Sequence, residues 1–249
     1  MDRDEIRKLY DRDYAASYEG KFLHTAIAQS DRDFEVKLIG ELLKPGGAWL
    51  DAACGTGYFL SQFQKVQRTG LDLSPSMIEQ ARQANPGIDL VEWDLRDPKP
   101  EWSNRWDLVT CMWYAYGLVD SLKQVLQVLA NLADWTSQTG KLMIPISNPR
   151  MIARSNYPYQ TLDTPWDGEV FIEGIMWSYV DDQGRKCHAH QISPTPEFMK
   201  DALSRWFASV EEVAYPPAMP GWEGVRTALV CSQKILDPAP AGPRFAPRR

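Results

Sequence analysis

The chain has 249 residues, 44% hydrophobic and 24% charged, with a mean hydropathy of −0.40, which excludes collagen-like, low-complexity and largely disordered classes. A formal charge of −6 has the wrong sign for a protein that binds by neutralising phosphates, so nucleic acid is not an expected partner. The apolar runs are too short for a bilayer, and the start MDRDEIRK is charged where an export signal needs an apolar stretch. The four scattered cysteines form no CxxC pair, so a cytoplasmic protein with free thiols and no metal site is expected.

Before residue 47 two helical patterns stand out. Ile6, Tyr10, Tyr14 and Tyr18 form an i+4 column, and Ser30 with Asp33 reads as a capping box opening a helix that carries Phe34, Leu38 and Leu42. From Gly47 onward short apolar runs alternate with helical stretches: AWLDAA and a helix from Tyr58, TGLDL and a helix from Pro75, then IDLVEWD, then WDLVTCMW and a helix with Leu122, Val125, Leu129 and Leu132 on one face, then GKLMIPIS. This alternation predicts an α/β domain with a doubly wound parallel sheet, whose ligands sit beyond the strand C-termini. After Pro149 it breaks, and EVFIEGIMWSYVDD with RKCHAHQIS reads as a hairpin turning at Asp182-Gln-Gly184. Thr195 and Pro196 then start a helix, and ASVEEVAY with VRTALVCSQ reads as a closing antiparallel pair. The expected organisation is one domain over 1–236, with lid helices at 1–46, a substrate-covering insertion at 150–193, and a disordered Pro-rich tail at 237–249.

The segment LDAACGTGYFL puts Gly55 and Gly57 between a strand and a helix start, where the backbone can approach a ligand closely. A dinucleotide fingerprint GxGxxG needs glycine where Leu60 stands, which disfavours NAD. An ordinary strand-to-helix turn is the bland alternative. Asp72 ends the second strand, well placed for a ribose; Asp94 ends the third and Cys111 the fourth.

The ordered set DAACGTG, GLDLSPSMIEQAR, WDLRD and WDLV resembles the class I S-adenosylmethionine-dependent methyltransferases over roughly residues 6–146. The resemblance implies a Rossmann-like seven-stranded sheet with antiparallel last strands, a lid helix and S-adenosylmethionine as cofactor. It implies Asp51, Ala53, Gly55 and Gly57 around the methionyl part, Asp72 on the ribose, Leu73 and Met77 beside the adenine, Asp94 and Leu95 at its edge, and the Cys111 backbone facing the amino group. LYDRDYAASYE looks like the lid of small-molecule enzymes, most closely the bacterial amino-sugar N-methyltransferases, with Tyr10, Tyr14 and Tyr18 as candidate ligand-facing rings; the electron-rich faces suit a cationic methyl donor. Those sugar enzymes place a histidine after the glycine that follows the fourth strand; this chain has Gly117-Leu118, so a sugar acceptor is in question.

Neither metal-ligating carboxylates nor the Asn-Pro-Pro-aromatic motif of base methylation follows the fourth strand; Trp113, Tyr114 and Tyr116 do. With Tyr157, Tyr159, Trp166, Trp177 and Tyr179 they form either an aromatic wall for a flat or amine-bearing acceptor or the packing of the insertion. Arg150 and Arg154 are candidates for an acceptor carboxylate, and His188, alternating with His190, for taking its proton. The expectation is a metal-independent enzyme that methylates nitrogen or oxygen of a small molecule, with Tyr14, Tyr116 and His188 as candidate catalytic groups. A nicotinamide oxidoreductase and a non-catalytic cofactor-binding module are the alternatives.

Overall fold

The tyrosine column at the N-terminus is carried by two helices, α1 (Arg3–Leu9) and α2 (Arg12–Phe22), because Asp11 caps a new start by accepting the Tyr14 N–H at 2.9 Å. α1 has its own capping box from Asp2 and Glu5. α3 runs Ala26–Leu42, so Ser30 lies inside a helix that starts earlier than the proposed Ser30–Asp33 box. The computed structural model describes residues 2–23, 26–146, 148–149, 173–180, 186–217 and 226–236, with the side chains of 21, 22, 26, 27, 179, 180 and 186–190 outside that description.

From Ala48 strands and helices alternate as the pattern predicts: β1 (Ala48–Ala52), α4 (Tyr58–Gln62), β2 (Gln67–Asp72), α5 (Pro75–Ala84), β3 (Asp89–Glu92), β4 (Trp106–Thr110), α6 (Leu122–Trp135) and β5 (Thr136–Ile146). A separate antiparallel hairpin follows, β6 (Gly174–Val180) with β7 (Lys186–Pro194), then α7 (Pro196–Leu203), capped by Thr195, and β8 (Phe207–Ala214) with β9 (Thr227–Lys234). The main sheet has the order β3-β2-β1-β4-β5-β9-β8, parallel until β9 and β8 run antiparallel. No helix among the described residues is long and apolar enough to cross a membrane.

Period-two alternation along the central strands feeds two cores. Leu50, Val109, Leu142, Ile144 and Leu229 face α6 and α7, whereas Trp49, Leu108, Met143 and Ala228 face α3 and α4. The strand order reverses between β1 and β4, and the candidate site opens above that point.

The hairpin docks on the main domain through a 3₁₀ turn, Ala115–Gly117. A Cβ on Gly117 would lie 2.3 Å from the Ile192 carbonyl oxygen of β7. Gly117→Ala is therefore expected to lower stability by about 1–3 kcal/mol. Gly20→Ala, in α2 with nothing within 4 Å of the added carbon, is expected to raise it by about 0.5–1 kcal/mol. Urea melts of the two variants check the contrast, and equal midpoints would contradict this docking geometry.

Candidate active site

The loop leaving β1 is built on left-handed residues. Ala53 (φ 64°), Gly55 (φ 54°) and Gly57 (φ 78°) turn the chain so that its N–H groups point back over the sheet. Ala53 holds a conformation that costs an L-residue roughly 1–2 kcal/mol, the position at which many members of the family resembled have glycine. Gly57 is locked by Asn85, whose amide donates to the Gly57 carbonyl at 3.0 Å and lies 2.6 Å from where a Cβ would be.

Asp72, at the end of β2, ties this loop down. Its carboxylate accepts the Gly55 N–H and the Ser74 N–H, each at 2.9 Å. Burial pushes the carboxyl up from its ordinary value, and the Ser74, Gly55 and Leu73 amides pull it back. Ser74 also caps α5 by accepting the Met77 N–H at 3.2 Å, with Pro75 at the first helical position.

Asp51 sits on β1 at 1% exposure. The Trp49 indole donates to Thr110 Oγ1 at 3.0 Å, which leaves the Thr110 hydroxyl to donate to Asp51 Oδ1 at 2.7 Å. Asp51 Oδ2 is buried without a partner. Burial raises this carboxyl to about 7, Thr110 opposing and the Asp72 charge adding to the rise.

Between these loops and the N-terminal helices lies a cavity open to solvent. Ala53, Gly55, Asp72, Leu73, Met77, Asp94 and Leu95 line one part of it, and Tyr10, Tyr18 and Trp113 line another. Tyr14 backs the lining tyrosines, its ring edge-on to Tyr10 at 5.3 Å and tilted against Tyr18 at 6.0 Å. The helices are held over the cavity by polar contacts. Ser74 Oγ donates to the Tyr10 carbonyl at 2.6 Å, Thr56 Oγ1 to Glu19 at 2.8 Å, and Arg7 pairs with Glu92 at 2.9 Å. Arg3 reaches Asp94 at 2.8 Å and also pairs with Asp97.

Asp94 is fully engaged. Arg96 grips it through Nε at 2.9 and 3.1 Å and through Nη2 at 2.6 Å. Burial opposes the Asp94 charge, yet the Arg96 hydrogen bonds and the two nearby guanidinium charges hold its carboxyl below the usual range. The structure thus adds Arg96, a lining residue, to the set read from the sequence; the acid-x-base spacing of Asp94 and Arg96 is the signal that could have found it.

Beyond β4 the chain makes a second left-handed turn. Trp113 (φ 53°) and Tyr114 (φ 63°) are consecutive bulky residues in that region, which marks a constrained segment. Trp113 Nε1 donates to Glu35 of α3 at 3.2 Å, the Tyr114 carbonyl accepts the Gln191 amide at 3.3 Å, and the Trp113 ring lies 6.2 Å from that of Tyr18. Nothing in the sequence pattern singled out Glu35, an acid at 3% exposure on an otherwise ordinary helix face.

Other expected residues fall elsewhere. Tyr116 is 0% exposed in the core with Cys111, so burial keeps it from the cavity lining. Asp51 and Gly57 brace the loop from behind the lining residues, and Tyr114 also packs behind them. Trp177 donates from its indole to Ser193 Oγ at 2.8 Å within the hairpin. The backbone of His188 pairs with Tyr179 between β7 and β6; Arg150 and Arg154 lie outside the described residues, as do Tyr157, Tyr159 and Trp166.

Residues 50–140 match the family described as a methyltransferase domain. The chain is 24% identical over 243 residues to a dTDP-3-amino-3,6-dideoxy-alpha-D-glucopyranose N,N-dimethyltransferase of Streptomyces fradiae, covering 90% of this chain and 91% of that one. It is 26% identical over 142 residues to a dTDP-3-amino-3,4,6-trideoxy-alpha-D-glucopyranose N,N-dimethyltransferase of Streptomyces venezuelae, covering 55% of this chain and 58% of the relative. Among solved structures, an S-adenosylmethionine-dependent methyltransferase of Clostridium acetobutylicum superposes with a TM-score of 0.58 at 14% identity, over 88% of this chain and 97% of that one. An amino pentose methyltransferase of Micromonospora echinaspora, solved with S-adenosylmethionine bound, gives 0.51 at 20% identity, over 90% and 98%. Residues 50–140 thus carry a methyltransferase domain, and the sheet order places the chain in the fold of the S-adenosylmethionine-dependent methyltransferases it superposes on.

The orphaned Asp51 Oδ2 and the carboxylate of Asp72 fit a donor that carries an ammonium group and a ribose. A carboxyl raised on folding contributes stability fully present below its unfolded value near 3.8 and lost as pH rises through about 7. Asp51→Asn keeps the Thr110 bond and does not titrate. In urea melts between pH 5 and 7, wild type is expected to lose roughly 1.4 kcal/mol per pH unit relative to the variant; parallel pH profiles would show that Asp51 is not held neutral.

Proposed function

We propose that the protein transfers a methyl group from S-adenosylmethionine to a nitrogen or oxygen of a small molecule, with an amine as the favoured acceptor. The observation that carries this reading is the cavity at the strand reversal, where Gly55, Asp72, Met77 and Asp94 meet tyrosines and a tryptophan. The two Streptomyces relatives, named as amino-sugar N,N-dimethyltransferases, support nitrogen as the acceptor atom. Leu118 lines the cavity at the point where those enzymes are expected to carry a histidine, which argues for an amine that arrives neutral or loses its proton elsewhere.

When bound, S-adenosylmethionine supplies an activated methyl group together with its own leaving group. The chain's work is then to bind, orient and exclude water. Asp72 is assigned to the ribose hydroxyls, Leu73, Met77 and Leu95 to the adenine, and the Asp51–Gly57 loop to the methionyl part, with the Cys111 backbone beside it. Asp94, already neutralised by Arg96, is assigned to shaping the adenine end through that pair. Tyr10 and Tyr18 offer electron-rich faces to a cation, with Tyr14 fixing their rings. Trp113 is assigned to the part of the wall that donor and acceptor share, and Tyr114 to the acceptor side behind it. His188, on the strand that reaches Tyr114 through Gln191, is assigned to taking the acceptor's proton.

Calorimetric titration with S-adenosylmethionine and S-adenosylhomocysteine tests the reading, with NADH as control. Both are expected to bind wild type, and Asp72→Ala is expected to weaken them on the order of tenfold or more, the loss of charged hydrogen bonds of roughly 1.5–3 kcal/mol. Binding of NADH with neither sulfur ligand would overturn it.

A further inference from the structure

One buried acid lies outside the cavity and outside the roles assigned above. Glu35 of α3 accepts the Tyr215 hydroxyl at 2.8 Å on one carboxyl oxygen and the Trp113 indole N–H at 3.2 Å on the other. It thereby joins three parts of the fold distant in sequence: the helix before the sheet, the turn after β4, and the segment after β8. The turn it grips has left-handed backbone at two successive bulky residues, Trp113 and Tyr114, a conformation that persists only when its surroundings hold it. On the far side of the indole lies the cavity, where Trp113 faces Tyr18 of the lid.

We propose that Glu35 is a positioning residue for methyl transfer, its carboxyl holding the Trp113 indole and the left-handed Trp113–Tyr114 turn in place as a wall of the donor cavity. Glu35 does not touch the ligand; it acts through Trp113. An apolar side chain in its place would leave the Trp113 N–H and the Tyr215 hydroxyl without this acceptor, so the acid is what ties the turn to α3. The proposal rests on the methyltransferase reading.

Ionisable groups surround Glu35 from every element packed on it. Asp31 lies one turn back on α3 and is paired with Arg226 from the start of β9, while Tyr114 and Tyr215 approach from the other two segments. Burial raises Glu35 to about 8, with Tyr215 and Trp113 opposing, Asp31 adding and Arg226 lowering. Both tyrosines are pushed above their ordinary range, so neither shares a titration near pH 8 with Glu35.

The test uses the full chain, with S-adenosylhomocysteine as calorimetric probe and tryptophan fluorescence as a second readout. Trp113→Phe keeps a ring but loses the N–H, and Glu35→Leu loses the acceptor. Each is expected to weaken S-adenosylhomocysteine about five- to tenfold, and the double variant no more than the worse single one, since both break one linkage. Glu35→Gln retains an oxygen for the indole N–H and is expected to bind within about threefold of wild type. The fluorescence difference between wild type and Trp113→Phe is expected to change with a midpoint near pH 8, and the same difference measured in the Glu35→Gln background to lose that midpoint. Wild-type affinity in Trp113→Phe, multiplied losses in the double variant, or a midpoint that survives in Glu35→Gln overturns the proposal even if Glu35→Leu fails to fold. Failure of wild type to bind the probe overturns the methyltransferase reading itself.

Discussion

A carboxylate buried at the end of β2 is the constraint on which the site depends. Taking an ionised acid out of water is costly unless its oxygens find donors, and Asp72 finds them in the N–H groups of Gly55 and Ser74, on the loops that leave β1 and β2. The two loops are therefore fixed relative to each other by one side chain. The arrangement requires the parallel register of β1 and β2, in which Asp51 lies opposite Gly70 and Ala52 opposite Leu71. It also requires the left-handed backbone at Ala53 and Gly55, which aims the loop's amides inward. Asp51 adds a second acid on the neighbouring strand, and its pairing with Thr110 is directed by Trp49, which occupies the hydroxyl's acceptor side. Asp72 gives the floor of the cavity an acceptor suited to hydroxyls, with Asp51 bracing the loop behind it.

The lid is held by a different balance. Arg3 and Arg7 are 48% and 42% exposed where they pair with the rim acids, so solvent and salt weaken those pairs to a few tenths of a kcal/mol each. More of the closure rests on apolar burial of Ile6 and Leu23, on the three tyrosine rings packed together, and on the buried Ser74 hydroxyl that donates to the Tyr10 carbonyl. The same serine caps α5 and lies two residues after Asp72, which ties the glycine loop. The lid is therefore tied to the cavity floor through two hydroxyls, that of Ser74 and that of Thr56 in the glycine loop, which donates to Glu19 of α2.

Period and punctuation made most of the fold legible. Alternating apolar runs announced the strands, Pro75 and Pro196 marked helix starts behind Ser74 and Thr195, and the glycine loop placed the site at the strand reversal. Two N-terminal boundaries were misread because competing signals overlapped. Asp11 interrupts the tyrosine column by capping α2, although an i+4 pattern carries across the break, and Ser30 resembles a cap although α3 has already begun at Ala26. In the site, Asp72, Met77 and Asp94 were legible because short-range motif spacing carries them. Glu35 and Gln191 act through partners distant in the chain, and Glu35 meets Tyr215 across 180 positions. No local periodicity encodes such a meeting. Tyr116 illustrates the converse: it sits in the right loop, but the 3₁₀ turn directs its ring into the core.

The two sides of the cavity differ in the kind of atom that holds them. On the donor side the fixed points are mostly backbone groups at strand ends, the amides of Gly55 and Ser74 and the Gly57 carbonyl, whose placement follows from the sheet and is insensitive to which side chains surround it. On the side of Trp113 and Tyr114 the turn adds side-chain bonds to its local backbone ones, Glu35 from α3 and Gln191 from β7. Left-handed backbone at two bulky residues has no local preference to stabilise it, so those tertiary bonds decide its shape. A substitution in α3 or in the hairpin can therefore reshape this wall, and with it the side of the cavity that Trp113 lines, while the backbone groups at the strand ends keep their places. One side of the cavity is thus set by what the sheet presents at its strand ends, and the other by long-range side-chain contacts from α3 and β7.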